Sequence, residues 1–145
     1  MKLKLIFCAQ GLILDRGTNN YSAFNILDEI ASPNFPANFP PLEWLTVFEK
    51  EYQEEEQPTI TFRTALNGET IHETKRKINF EGKRRTRLHI RFDGMPVSNP
   101  GDLELIALYK DEVLGSYTVD VKNIGPTAIK NHEQDSGQDE GQSAE

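Results

Sequence analysis

The sequence predicts an all-β protein, a single antiparallel β-sandwich of about eight strands, and three observations carry that prediction. The stretch Asn99–Val121 spells out a β-hairpin: Pro100-Gly101-Asp102 signals a turn, Leu103, Leu105, Ala107 and Tyr109 recur at period two, and Lys110-Asp111-Glu112 is a short polar connection to a second alternating run. Asn67-Gly68 is the strongest two-residue hairpin signal, and it stands between two runs rich in β-formers. Strand-like runs recur at spacings of about 8–12 residues with no convincing helical period between them.

The elements follow in order. Lys2–Cys8 alternates basic and apolar residues, with Leu3, Leu5 and Phe7 on one expected face. A turn cluster, Asp15–Asn20, precedes Tyr21–Ile30, a strand or short helix whose core candidates are Phe24, Ile26, Leu27 and Ile30. Pro33, Pro36, Pro40 and Pro41 forbid regular structure and predict an extended crossover between sheets. Leu42–Tyr52 then alternates, with Leu42, Trp44, Thr46 and Phe48 on one side. The run Glu54-Glu55-Glu56 reads as a solvated loop. Thr59–Leu66 and Thr70–Phe80 flank Asn67-Gly68, and Glu81-Gly82-Lys83 forms the next turn. In Thr86–Phe92, Leu88, Ile90 and Phe92 are expected to face inward and Arg87, His89 and Arg91 outward.

Composition narrows the function classes. A chain of 145 residues with 37% hydrophobic content can build one core, and its net charge of −7 opposes general attraction to polyanions. Cys8 is the single cysteine, which rules out an intrachain disulfide and predicts a small buried residue. The apolar run Leu5–Ala9 is shorter than the roughly 7–15 residues of a secretory h-region, and no run approaches the roughly 20 of a membrane span. These readings predict a cytoplasmic protein without membrane association.

No catalytic or metal motif is present: the sequence lacks GxSxG, HExxH, a phosphate-binding loop and paired cysteines. His72 and His89 could face each other across a hairpin at Glu81–Lys83, but two histidines fall short of a catalytic metal site. Asp15, Asp93, Asp102 and Asp111 sit singly on different loops, as turn formers rather than calcium ligands. The expectation is no enzyme, no cofactor and no metal.

One constellation stands out. Eight of the 16 Lys and Arg residues, Lys75, Arg76, Lys77, Lys83, Arg84, Arg85, Arg87 and Arg91, fall within Lys75–Arg91. If Thr70–Phe80 pairs with Thr86–Phe92, Lys77, Arg87 and Arg91 project outward with Lys83, Arg84 and Arg85 at the tip, making a basic ribbon. Such a ribbon is either a solvated face that discourages edge pairing or a surface for nucleic-acid phosphates, an anionic lipid surface or an acidic partner. Few aromatics accompany the basic residues, so stacking on nucleic-acid bases ranks second to binding a protein.

The order of the opening strand and turn (Leu5–Ile30), the proline-rich segment leading to Trp44 (Ala31–Phe48), the Asn67-Gly68-Glu69 hairpin and the closing Phe92–Val121 together resemble DUF6941, a family of small bacterial proteins. The resemblance covers about Met1–Val121. It implies a single immunoglobulin-like or C2-like sandwich and carries no assigned activity. The chain differs from that pattern in its basic Lys75–Arg91 segment and its acidic end.

The sequence therefore reads as a domain over 1–124 and a disordered acidic tail over 125–145. It predicts a non-catalytic interaction module, monomeric or weakly dimeric, that binds another protein through an exposed strand or through Lys75, Lys77, Lys83, Arg84, Arg85, Arg87 and Arg91. An anion or nucleic-acid binder using the same segment is the alternative, with the acidic tail as a competing cover. Asn131–Glu145 contains no apolar residue except Ala144. Its removal is expected to leave the melting temperature nearly unchanged, and a drop of several degrees in a thermal melt would show that it is docked.

Overall fold

The computed structural model describes residues 1–125, and the regular elements among them are all strands. In chain order these are β1 (Lys2–Asp15), β2 (Asn20–Ile26), β3 (Glu29–Ser32), β4 (Ala37–Asn38), β5 (Leu42–Glu49), β6 (Thr59–Leu66), β7 (Glu69–Lys77), β8 (Arg85–Phe92), β9 (Pro96–Val97), β10 (Gly101–Tyr109) and β11 (Glu112–Asn123). A four-stranded sheet, β2-β1-β5-β8, packs on a five-stranded sheet, β3-β11-β10-β6-β7, and β4 pairs with β9. All pairings are antiparallel except β3 with β11. The all-β sandwich is as expected, with short β3, β4 and β9 added to the eight longer strands. The tail expected over 125–145 lies, beyond Gly125, outside the described residues.

Turn chemistry sets the hairpins. Asn67 and Gly68 take φ of 51° and 81°, and Lys110 and Asp111 take 50° and 63°. Both pairs are left-handed, the geometry that matches the twist of a two-residue hairpin. Asn67 also reaches across to the start of β10: its Nδ2 donates to the Pro100 carbonyl at 3.0 Å and its Oδ1 accepts from the Asp102 N–H at 3.0 Å. Gly101, at φ 136°, lies so close beneath this amide that a Cβ there would come within 1.8 Å of Asn67 Oδ1.

The expected face of the first strand is overturned beyond Leu3. A register shift between Leu3 and Leu5 moves Lys4 out of the ladder, so Leu3, Ile6 and Cys8 meet the core while Leu5 is 46% exposed. Phe24 and Ile26, expected in the core, are 52% and 60% exposed, whereas Leu27 and Ile30 pack against it as expected. The segment Tyr21–Ile30 divides into two strands in different sheets because Leu27 and Asp28 carry the chain from one to the other.

The core lies between the sheets around Trp44, Phe48, Phe62, Phe80, Leu103 and Leu105, all shielded from solvent. Trp44 packs edge-on against Tyr117 with ring centroids 5.8 Å apart, and Phe48 meets Phe62 at 6.2 Å. Cys8 sits in this core, and burial pushes its thiol up to about 12.

Strand β5 is buried on both faces, including Glu43 and Glu49. Past Ala9 the β1–β2 hairpin folds back over the outer face of its own sheet. Were the sheet open, β2 would stand three strand spacings, roughly 14 Å, from β8. Instead the Tyr21 ring meets His89 at 5.9 Å, Arg87 stacks on Tyr21 at 5.1 Å and donates to the Asn19 carbonyl, and the Leu12 N–H donates to Glu43.

Trp44→Ala is expected to cost about 3–5 kcal/mol in denaturant unfolding, because the site is closed on all sides. A loss below about 1 kcal/mol would contradict this packing.

Candidate functional site

The structure corrects the expected basic ribbon. β7 pairs with β6 in one sheet and β8 pairs with β5 in the other, so Thr70–Phe80 and Thr86–Phe92 do not form a hairpin. The Glu81-Gly82 turn, with φ of 52° and 71°, instead lies in the crossover from sheet to sheet. Its path is fixed by two buried anchors, Ile78 and Phe80, whose N–H groups donate to the carbonyls of Pro58 and Glu56 at 3.0 and 3.2 Å. β7 is spent on β6 through the Asn67-Gly68 turn, and Ile78 and Phe80 then enter the core between the sheets as the chain passes to β8 beside β5.

His72 and His89 are separated by the same crossover. His72 rests edge-on against Phe92 at 5.9 Å, and His89 lies under the β1–β2 hairpin with Nε2 at 3.6 Å from Glu43 Oε1. Among the described residues no three His, Cys, Asp or Glu side chains gather as a metal site would need. Asp15 forms a turn, its Oδ1 accepting from the Gly17 N–H at 2.8 Å, and Asp93 pairs with Arg91 at 2.8 Å.

The seven candidate binding residues differ in what they already hold. Arg85 donates to Glu49 at 2.6 Å, and this bond holds the Glu49 carboxyl below its ordinary range. Arg84 lies 3.7 Å from Glu49 and 3.5 Å from Glu51. Arg91 bonds Asp93 and reaches Glu43 at 3.4 Å, and the Asp93 contact raises its pKa. Lys83 stands 3.9 Å from Glu81, with both side chains exposed. Among the described residues, Lys75, Lys77 and Arg87 have no carboxylate within ion-pair distance. Arg87 is not the freely solvated residue expected on the outer face: it is half-buried beneath the hairpin.

Four of these residues, Lys77, Lys83, Arg85 and Arg87, line one groove of about 580 Å³. Its other walls are Leu14, Asn19 and Tyr21 of the hairpin, Val47 of β5, and Ile78, Phe80 and Glu81 of the crossover. Lys75, Arg84 and Arg91 lie outside it. The sequence hid the hairpin wall because docking of residues 14–21 onto β8 has no local signature. The carboxylate partners come from the pairing of β8 with β5: Glu43 and Glu49 occupy outward positions of β5 directly opposite Arg91 and Arg85.

The run Glu54–Glu56, expected to be a solvated loop, is a latch. Glu54 takes the N-terminal ammonium and accepts the Glu51 N–H at 2.7 Å. Glu56 accepts the Gly82 N–H at 2.5 Å and pairs at 3.1 Å with Lys50, itself buried and 5.6 Å from the Phe80 ring centroid. The N-terminal ammonium holds the Glu54 carboxyl down, and the Gly82 N–H does so for Glu56.

A family model described as a family of unknown function, DUF6941, matches residues 5–122. No curated protein matches the sequence. Among solved structures, an immunoglobulin-like protein of Pseudomonas aeruginosa is similar at 11% identity and a TM-score of 0.47, over 83% of this chain and 95% of that one. No helix among the described residues is long and apolar enough to cross a membrane.

Glu49, Glu54 and Glu56 have folded-state pKa values below their unfolded values, so the stability they confer is present above the ordinary carboxylate pKa and lost as pH falls through the depressed ones. The melting temperature is expected to fall as pH drops below about 5. A Glu49→Gln/Glu56→Gln variant should melt lower at pH 7 and show a shallower acid slope, and an unchanged slope would assign acid sensitivity elsewhere.

Proposed function

The chain belongs to DUF6941, a family of unknown function, and on its geometry we propose that it is a non-catalytic interaction module that engages another protein by strand addition at β2. The observation that carries this reading is the contrast among the sheet edges. Among the described residues β2 has a strand neighbour on one side only, and its sequence Asn20–Ile26 contains no Lys, Arg, Asp, Glu or Pro. The other two long edges are guarded by charge: Lys75, Arg76 and Lys77 on β7, and Arg85, Arg87 and Arg91 on β8. β3, the remaining edge, is four residues long.

The face beside the β2 edge is apolar. Ile13, Phe24 and Ile26 share one side of the β1–β2 hairpin and are 55%, 52% and 60% exposed. An unguarded strand edge beside a row of exposed apolar side chains supplies main-chain hydrogen bonds for affinity and side-chain contacts for selectivity. Asn25, at φ 48° with its Nδ2 bonded to Gln10 at 2.8 Å, kinks the strand near its end, leaving Asn20–Phe24 as the extended run. Nucleic-acid binding along a ribbon loses support, because the cations are divided between two sheets and Arg84, Arg85 and Arg91 already hold carboxylates.

Lysines at Ser22 and Phe24, both exposed, should guard this edge as the other edges are guarded. Ser22→Lys/Phe24→Lys is expected to melt within a few degrees of the wild type and to lose whatever proteins the wild type specifically retains from an extract of its native host. Retention of the same proteins by both would refute binding at β2.

A further inference from the structure

We propose that the groove between the β1–β2 hairpin and the β7–β8 crossover is a binding site for a phosphate monoester carrying an apolar, ring-sized organic group. The argument begins with Arg87. It is half-buried, held by stacking on Tyr21 at 5.1 Å and by its bond to the Asn19 carbonyl, and no carboxylate among the described residues lies within ion-pair distance. A partly desolvated cation without a counter-ion favours an anion from outside. A guanidinium carries five N–H donors, and the carbonyl engages one of its nitrogens. The stacking fixes the fork in place, so little ordering is required to bind an oxyanion.

Charge selects the ligand class. The groove is lined by the cations Lys77, Lys83, Arg85 and Arg87, while Glu81 faces Lys83 and Glu49 neutralises Arg85. Four cations against two carboxylates leave two net positive charges, which match the dianion of a phosphate monoester, about −1.5 to −2 at pH 7, rather than a single carboxylate. Size and lining select the rest of the molecule. A groove of about 580 Å³ is within the range of small-molecule sites and far larger than a bare phosphate needs. Leu14, Val47 and Leu88, each at least partly exposed, supply apolar wall for an organic group. The groove shares Tyr21 with β2 but uses the side of the hairpin turned toward β8, whereas the partner strand proposed above uses the backbone edge, so the Arg87 variants and the Ser22/Phe24 variant test the two apart.

Phenyl phosphate is the probe, titrated calorimetrically into the full chain beside inorganic phosphate, benzoate and a phosphotyrosyl peptide. Phenyl phosphate is expected to bind in the millimolar range or tighter, and at least about tenfold more tightly than benzoate. Binding should weaken from pH 7.5 to 5.5 as the phosphate regains its second proton, whose pKa is about 6. Arg87→Gln should weaken it about tenfold, the scale of one lost charge-assisted contact. Arg87→Lys, which keeps the charge without the fork, should fall between. Arg76→Gln, on β7 outside the groove, should bind as the wild type does. Should Arg87→Gln fail to fold, Arg87→Lys and Lys83→Gln carry the test. Tighter binding of the peptide than of phenyl phosphate would identify the source as a phosphorylated protein, and the reverse a free metabolite. Benzoate binding as well as phenyl phosphate, equal losses in Arg76→Gln and Arg87→Gln, or no phenyl phosphate binding in the millimolar range would each overturn the proposal.

Discussion

The architecture depends on the burial of β5 from both sides. Its inward residues Leu42, Trp44, Thr46 and Phe48 fill the sandwich, as any central strand would. Its outward residues Glu43, Leu45, Val47 and Glu49 would face water in an ordinary two-layer fold, but the β1–β2 hairpin recrosses them and the arginines of β8 close over the rest. The four-stranded sheet is thus overlaid by part of itself. This local third layer places Leu14, Asn19 and Tyr21 opposite Val47 and Arg87 and thereby makes a groove where a sandwich would present a flat face.

Burying two carboxylates on that outer face imposes a second requirement. A desolvated carboxylate is tolerated only when hydrogen-bonded and paired. Glu43 receives the Leu12 N–H and Arg91, while Glu49 receives Arg85 and lies beside Arg84. The basic character of β8 is therefore largely the counterpart of an acidic β5, and its excess charge is concentrated at Arg87, which among the described residues has no carboxylate partner. Lys50 repeats the logic at the strand's end, where the Glu54–Glu56 loop supplies its counter-charge and simultaneously secures the chain's first residue.

What the sequence conveyed and what it concealed follow the range of the interaction. Period-two alternation in Leu103–Tyr109 and the two left-handed turns at Asn67-Gly68 and Lys110-Asp111 are local, and the hairpins they specify form as read. The slip at Lys4 is one residue long, yet it exchanges the faces of everything after it, so Leu5 and Phe7 read as core and Ile6 and Cys8 occupy it. The pairing of Thr70–Phe80 with Thr86–Phe92 failed for the opposite reason. A Glu-Gly turn between two alternating runs looks like a hairpin, but a crossover between sheets uses the same residues, and only the pairing of β7 with β6 and of β8 with the distant β5 distinguishes them. The basic residues were legible as a cluster. Their division into those already paired and those available depends largely on acids 35 to 48 positions away in β5, which no local pattern reveals.

The clasp between Asn67 and the backbone around Gly101 restricts the chain in a further way. The amide occupies the space where a Cβ of residue 101 would stand, so a side chain at one position and an amide at the other are mutually exclusive. The left-handed backbone at 101 gives glycine a second, independent advantage. Sequence drift at these two sites, one in a hairpin turn and one at the start of a distant strand, is therefore expected to be correlated, with the amide surviving only in chains that keep the glycine.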